Sequence, residues 1–134
     1  MTSQRGLSTY QQNQVQSRTP LELVVMMYDG ALKFLQQTRN AIERGDIRAR
    51  RDASTRALTI VSELQSTLDL KRGGDIARQL DELYAYVNGR ILQAAADNAV
   101  APVDEATRVL QILRESWVVI AGTPAAETAV RGAA

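Results

Sequence analysis

The residue types that carry most protein chemistry are missing from this sequence or scattered along it. There is no Cys and no His, so thiolate nucleophiles, Ser–His and Cys–His pairs, disulfides and most transition-metal sites are excluded. The 15 Asp and Glu residues fall at expected helix caps or on polar helix faces, where they serve as helix-dipole partners or solvated charges. We therefore expect no catalysis, no cofactor, no metal and no small-molecule substrate.

Two further kinds of site, a di-iron centre and a phosphate-binding loop, are also excluded. A di-iron carboxylate centre in a helical bundle needs inward-facing Glu residues and Glu-x-x-His pairs, and a chain without His cannot build them. Gly73-Gly74 has no strand before it and no Lys-Ser/Thr after it, so the pair indicates a turn rather than a phosphate-binding loop.

Arginines near the start of the second predicted helix are the strongest candidates for contacting phosphate. They are Arg48, Arg50, Arg51 and Arg56. The chain balances 16 Lys and Arg against 15 Asp and Glu, a net charge of +1, which gives no general attraction to nucleic acid or anionic lipid. We interpret the arginines as a solvated face and expect no nucleic acid partner.

No stretch approaches the roughly 20 apolar residues of a membrane-spanning helix, and the N-terminus lacks the apolar core of a secretion signal. These observations predict a cytoplasmic protein that does not insert into membranes.

The elements that position the side chains are helices, because apolar residues recur at three- and four-residue steps. Thr19-Pro20-Leu21-Glu22 combines a capping Thr, Pro at the first helical position and Glu at the third, and it predicts a helix over about 20–43. Asp46 caps a second helix that Gly73 breaks, Asp75 caps a third that runs to about 98, and Pro102 opens a fourth that ends before Gly122.

Four helices joined by short turns predict an all-α fold, an antiparallel up-and-down four-helix bundle. We expect three parts: a polar arm over 1–18 that packs over the bundle as a short lid, the bundle over 19–121, and a disordered tail over 122–134.

The first helix carries more apolar surface than a bundle requires. A second row, offset from the core stripe, is formed by Leu23, Met27, Gly30, Phe34 and Ala41. Either the bundle and the arm bury this row, or it forms a groove for a partner's amphipathic helix that the arm covers when empty. Both readings can hold together.

Two tyrosines of the third predicted helix are expected in different environments. Tyr84 and Tyr86 lie on different faces, so we expect one in the core and one partly exposed, where tyrosine often anchors an interface. Trp117 lies on the apolar stripe of the fourth helix and is expected in the core.

An ordered set of stretches resembles the flagellar secretion chaperones, the FliS family. They are Tyr-Gln-Gln-Asn-Gln-Val at 10–15, Thr-Pro-Leu-Glu-Leu at 19–23, Met-Met-Tyr-Asp-Gly-Ala-Leu-Lys-Phe-Leu at 26–35, Leu-Tyr-Ala-Tyr-Val at 83–87 and Leu-Arg-Glu-Ser-Trp at 113–117. The resemblance covers about residues 8–120. It departs at Ala85, where the family often has Asp, and at Ala95-Ala96, where Ala-Asn is common.

The resemblance implies a bacterial cytosolic export chaperone. Such a protein binds the disordered C-terminal segment of flagellin, prevents premature polymerisation and delivers flagellin to the flagellar type III export gate, and other flagellar regulators are further possible partners. Together with the apolar surplus it implies the following client-binding and lid residues: Tyr10, Gln14, Val15, Leu23, Met27, Tyr28, Gly30, Ala31, Phe34, Ile60, Leu64, Tyr84 and Tyr86.

Two alternatives from other classes remain open. A structural or regulatory adaptor would self-associate through the second apolar row or bind another helical partner there. A nucleic-acid adaptor would use the arginines of the second helix.

Overall fold

The computed structural model describes residues 19–120 and 123–131, which form four long helices and one short one. The helices are α1 Pro20–Glu43, α2 Ile47–Ser66, α3 Gly74–Asp97, α4 Val100–Ile120 and α5 Pro124–Ala129. The predicted all-α four-helix bundle is confirmed, whereas the predicted arm lies outside the described residues. Within 19–120 and 123–131, no helix is long and apolar enough to cross a membrane.

The predicted helix starts of α1 and α2 are confirmed by their caps. The Thr19 hydroxyl accepts a hydrogen bond from the Glu22 amide at 3.1 Å, and the Asp46 carboxylate accepts one from the Ala49 amide at 3.0 Å. These side chains satisfy amide groups that have no partner inside the helix.

Three other helix boundaries differ from the prediction. α2 ends at Ser66 rather than at the Gly pair, because Asp69 organises a turn by accepting from the Arg72 amide through its side chain and from the Gly73 amide through its carbonyl. α3 begins at Gly74, one residue before the expected cap. α4 begins at Val100 because Asn98 adopts a left-handed conformation, with φ of 51°, that reverses the chain at once.

Each long helix packs against two neighbours, so the four form a ring in which α1 closes against α4. Polar pairs between the helices show that neighbours run antiparallel. They are Arg39–Asp104 and Arg114–Asp29 between α1 and α4, and Gln65–Asp81 and Asn88–Ser62 between α2 and α3.

A hydrogen-bonded aromatic group lies in the core and joins three of the four helices. The Trp117 indole N–H donates to the Tyr28 hydroxyl at 2.9 Å, and that hydroxyl lies 2.5 Å from the Tyr84 hydroxyl. The two tyrosine rings are tilted by 48° with their centroids 6.3 Å apart. Tyr84 is 1% exposed and Tyr86 is 50% exposed, which confirms that they divide between core and surface, and Trp117 is buried as expected.

Burial raises the pKa of both core tyrosines. The pKa of Tyr28 is raised far above its usual value of 10.0 by desolvation and by the neighbouring Tyr84, and burial raises the pKa of Tyr84 to about 12. Both hydroxyls therefore stay protonated, and keep their hydrogen bonds, throughout the neutral range.

Residues 123–131 carry regular structure where a disordered tail was expected. Thr123 caps α5, the chain then pairs with the α2–α3 turn through an isolated bridge between Leu68 and Val130, and Ala126, Ala129 and Val130 are buried. The side chains are mostly small and supply no strong apolar pattern, so the order depends on backbone hydrogen bonds to a distant turn and on burial of Val130 there, which local sequence does not reveal.

Removing the Tyr28 hydroxyl should destabilise the bundle. Tyr28→Phe removes the hydroxyl that accepts from the buried Trp117 N–H, and an unsatisfied buried donor costs about 1 to 3 kcal/mol. Urea denaturation should show this loss for Tyr28→Phe and less than about 0.5 kcal/mol for the control Tyr86→Phe, whose side chain is half exposed. Equal losses of unfolding free energy in the two variants would contradict the stabilising role of the Tyr28 hydroxyl.

Alkaline pH should also destabilise the bundle. Above the usual tyrosine pKa of 10.0, Tyr28 and Tyr84 lose their protons in the unfolded chain but keep them in the folded one, so the free energy of unfolding falls as pH rises. Urea denaturation on either side of pH 10.0 should show this decline, and Tyr84→Phe should show a shallower one. An unchanged slope in that variant would exclude Tyr84 as a source.

Candidate functional site

An apolar groove runs between α3 and α4 on the outside of the bundle. Its central cleft has a volume of about 170 Å³. Six of its eight lining residues are apolar, and the full lining consists of Ile76, Gln79, Leu80, Leu83, Leu113, Ser116, Trp117 and Ile120. The groove therefore offers mainly hydrophobic contact with few polar groups to fix orientation.

Helical spacing on α3 and α4 produces the groove. Leu83 comes three residues before Tyr86, so the two share a face of α3, and the Tyr86 hydroxyl donates to the Glu105 carboxylate on α4 at 3.2 Å. Glu105 also pairs with Arg90 at 2.8 Å. These polar contacts close one end of the groove, while Ile76 and Ile120 line the other.

The floor of the groove connects it to the aromatic group in the core. Trp117 lines the cleft with one part of its ring, and its N–H donates inward to Tyr28. An occupant of the groove would thus rest on a side chain that a buried hydrogen bond holds in place.

The groove leaves large apolar side chains exposed to water. Ile76, Leu83 and Tyr86 on α3 are all exposed, and they follow one another at three- to seven-residue spacing along the same edge. A contiguous apolar strip beside a concave floor is typical of a protein-binding surface.

The second apolar row of α1 lies elsewhere, against α2. A Cβ atom added to Gly30 would lie 3.2 Å from the Ile60 side chain, so the absent side chain at Gly30 makes room for α2. Leu23, Met27 and Phe34 are partly buried. The structure thus brings Gly30 and Ile60 together and covers part of the row with a neighbouring helix.

Charged groups border this row. The Lys33 ammonium and the Arg56 guanidinium lie 5.9 Å and 5.6 Å from the centre of the Phe34 ring, within cation–π range. The part of the row around Phe34 is therefore flanked by cations, whereas the lining of the α3–α4 groove carries no charge.

Four residues expected to contact a client are instead inside the bundle. Tyr28, Ala31, Leu64 and Tyr84 are buried, so a partner could reach them only if the helices separated. Of the expected residues on α3, only Tyr86 reaches the surface, and it does so beside the α3–α4 groove. Tyr10, Gln14 and Val15 lie outside the described residues.

The sequence prediction missed most of the groove. Helical spacing alone places Ile76, Leu83, Leu113 and Ile120 on the apolar stripes of their helices, and in the structure all four line the groove. The available signal was the width of the α3 stripe, which carries apolar residues at both 83 and 84 and so extends beyond the core.

A larger depression of about 650 Å³ lies along the first turns of α2. Its lining is Asp46, Arg48, Ala49, Arg51, Asp52 and Thr55, with charges of both signs and no apolar side chain larger than alanine. It offers no hydrophobic anchor. Among the described residues, no group of three or more acidic side chains is arranged to hold a metal ion.

The relatives of the chain agree with a protein-binding role. The model of the family described as flagellar protein FliS matches residues 3–124. The flagellar secretion chaperone FliS of Salmonella typhimurium is 34% identical over 87% of this chain and 90% of its own length. The chaperone of the same name from Bacillus subtilis is 32% identical over 87% of this chain and 86% of its own length.

Both relatives are named as chaperones, which are not enzymes. The family match extends over the whole bundle, including both helices that form the groove. The chain belongs to the FliS family of flagellar secretion chaperones.

Proposed function

We propose that this chaperone binds the disordered C-terminal segment of flagellin in the bacterial cytoplasm, holds it in a form that cannot polymerise, and delivers it to the flagellar export gate. The single observation that carries the proposal is the exposed apolar groove between α3 and α4. The family assignment supports a flagellar export client, and the groove supports an amphipathic helix as the form in which it binds.

The dimensions of the groove suit a short helix. Ile76 and Tyr86 are ten positions apart, which is about 15 Å along a helix axis and matches roughly three turns of a bound helix. A client helix with apolar residues at i, i+3 or i+4 and i+7 would place them over the exposed side chains of α3 and against Leu113 on α4.

The α3–α4 groove fits such a client better than the second row of α1 does. The groove keeps Leu83 and Ile76 exposed, whereas α2 already covers part of the row through the contact between Gly30 and Ile60. Hydrophobic binding energy depends on the area that remains to be removed from water. The groove therefore provides the main contact and the α1 row a secondary one.

Coupled folding would make the complex both specific and reversible. A disordered client gives up conformational entropy when it becomes helical on the chaperone, and this loss offsets part of the energy gained from apolar contact. Moderate affinity suits a chaperone that must release its client for export.

Substitution of Leu83 should weaken client binding. Leu83→Lys places a charge in the centre of the groove, and we expect affinity for a peptide of the flagellin C-terminal segment to fall at least about tenfold, as for a central interface residue. Isothermal titration calorimetry should show binding with a negative heat-capacity change for the natural chain.

Leu92→Lys is the matched control on the same helix. Leu92 is 57% exposed and Leu83 is 36% exposed, but Leu92 lies one turn beyond Asn88, which contacts α2, and so faces away from the groove. The affinity of Leu92→Lys for the peptide should equal that of the natural chain. Absence of binding to the natural chain would reject the flagellin proposal, and self-association that ignores the peptide would favour the adaptor.

The chaperone should also delay filament growth. We expect the natural chain, mixed with flagellin monomers in equal amount, to lengthen the lag before polymerisation because it removes the free C-terminal segment, and we expect Leu83→Lys to restore the lag of flagellin alone. Light scattering measures the lag. Equal delay by both variants would show that the groove does not hold the segment that polymerises.

A further inference from the structure

The C-terminal segment closes back on the bundle through backbone hydrogen bonds. After α4, the Thr123 amide donates to the Ile120 carbonyl at 2.9 Å. Beyond α5, the Asp69 amide donates to the Ala129 carbonyl at 2.9 Å, and the Arg131 amide donates to the Thr67 carbonyl at 2.8 Å. We call residues 123–131 the clasp.

The contact between the clasp and the α2–α3 turn is closely fitted. A Cβ atom at Gly73 would lie 2.6 Å from both the Asp69 carbonyl oxygen and the Ala77 Cβ atom, closer than side chains are found, and 3.0 Å from the Ala129 Cα atom of the clasp, which is a tight contact. The clasp adds Val130 to the core, where it is 4% exposed. The α2–α3 turn itself therefore requires glycine at 73, and the absent side chain also leaves room for the clasp.

The clasp connects two helices that are not neighbours in the ring. α2 and α4 occupy opposite corners of the four-helix ring, and α5 packs on α3 between them. The chain leaves the end of α4, passes the start of α3 and pairs with the turn that follows α2. The free end of α4 is thereby tied to the opposite corner of the bundle.

The end of α4 that the clasp ties down is also a wall of the groove. Ser116, Trp117 and Ile120 lie in the last turns of α4 and line the cleft. Helix ends fray when nothing holds them, and loss of this turn would remove one side of the groove together with its aromatic floor.

We propose that the clasp is a positioning element that holds the last turn of α4 in place and so sets the shape of the α3–α4 groove. Val130 is the residue that fixes the clasp, because its side chain is buried in the core. The effect on α4 stands on the geometry of this chain, whereas the effect on client affinity rests on the proposed function.

Val130→Asn tests the proposal in the full chain. It puts an amide in place of a buried valine, and release of the clasp should speed hydrogen exchange of the backbone amides at 116–120 by about tenfold. The emission of Trp117, the only tryptophan in the chain, should shift to the red as its ring meets water. Affinity for the flagellin C-terminal peptide should fall about fivefold or more.

Val119→Asn is the matched control. Val119 is 81% exposed on the outer face of α4, so exchange, emission and affinity should all stay as in the natural chain. Val130→Ala provides a milder variant should the asparagine prevent folding, and it should change the same three quantities in the same direction.

Several outcomes would overturn the proposal. Unchanged exchange at 116–120 in both Val130 variants would show that the clasp does not hold α4. Faster exchange with unaltered affinity would show that it does not shape the groove, and tighter binding would make it an inhibitor. If the natural chain binds no peptide, the flagellin proposal fails, and the exchange and Trp117 emission still decide the role of the clasp.

Discussion

The bundle depends on one buried hydroxyl. Tyr28 on α1 accepts a hydrogen bond from Trp117 on α4 and exchanges one with Tyr84 on α3, so three helices must be in register before these polar groups are satisfied. An apolar stripe tolerates a small rotation or shift of a helix, whereas a buried hydrogen bond does not. The hydroxyl thus selects one arrangement from the many that hydrophobic burial alone would permit.

The same interaction links the core to the α3–α4 groove. The Trp117 N–H donates to Tyr28 inside the core, and the same side chain lines the groove. A surface built on a fixed aromatic floor is preorganised, and preorganisation reduces the entropy that binding must otherwise overcome. Order in the core and shape at the groove are therefore consequences of a single side chain.

Much of the fold could be predicted from sequence because its causes are local. The caps at Thr19 and Asp46 and the three- to four-residue apolar steps set helix starts and core faces without reference to the rest of the chain. The groove could not be predicted in this way, since the edge residues Leu83 and Leu113 belong to different helices and look like core until the helices are packed. The order of the clasp escaped prediction because Val130 pairs with Leu68, a partner 62 positions away.

The closure of the ring between α1 and α4 has a consequence for synthesis. Tyr28 and Trp117 are 89 positions apart, and at about 5 to 20 residues added per second the ribosome needs roughly 4 to 18 s to make the second after the first. During that interval α1 has neither its indole donor nor its α4 neighbour. The nascent chain therefore passes through a stage at which the apolar stripe of α1 lacks the helix that covers it in the finished bundle.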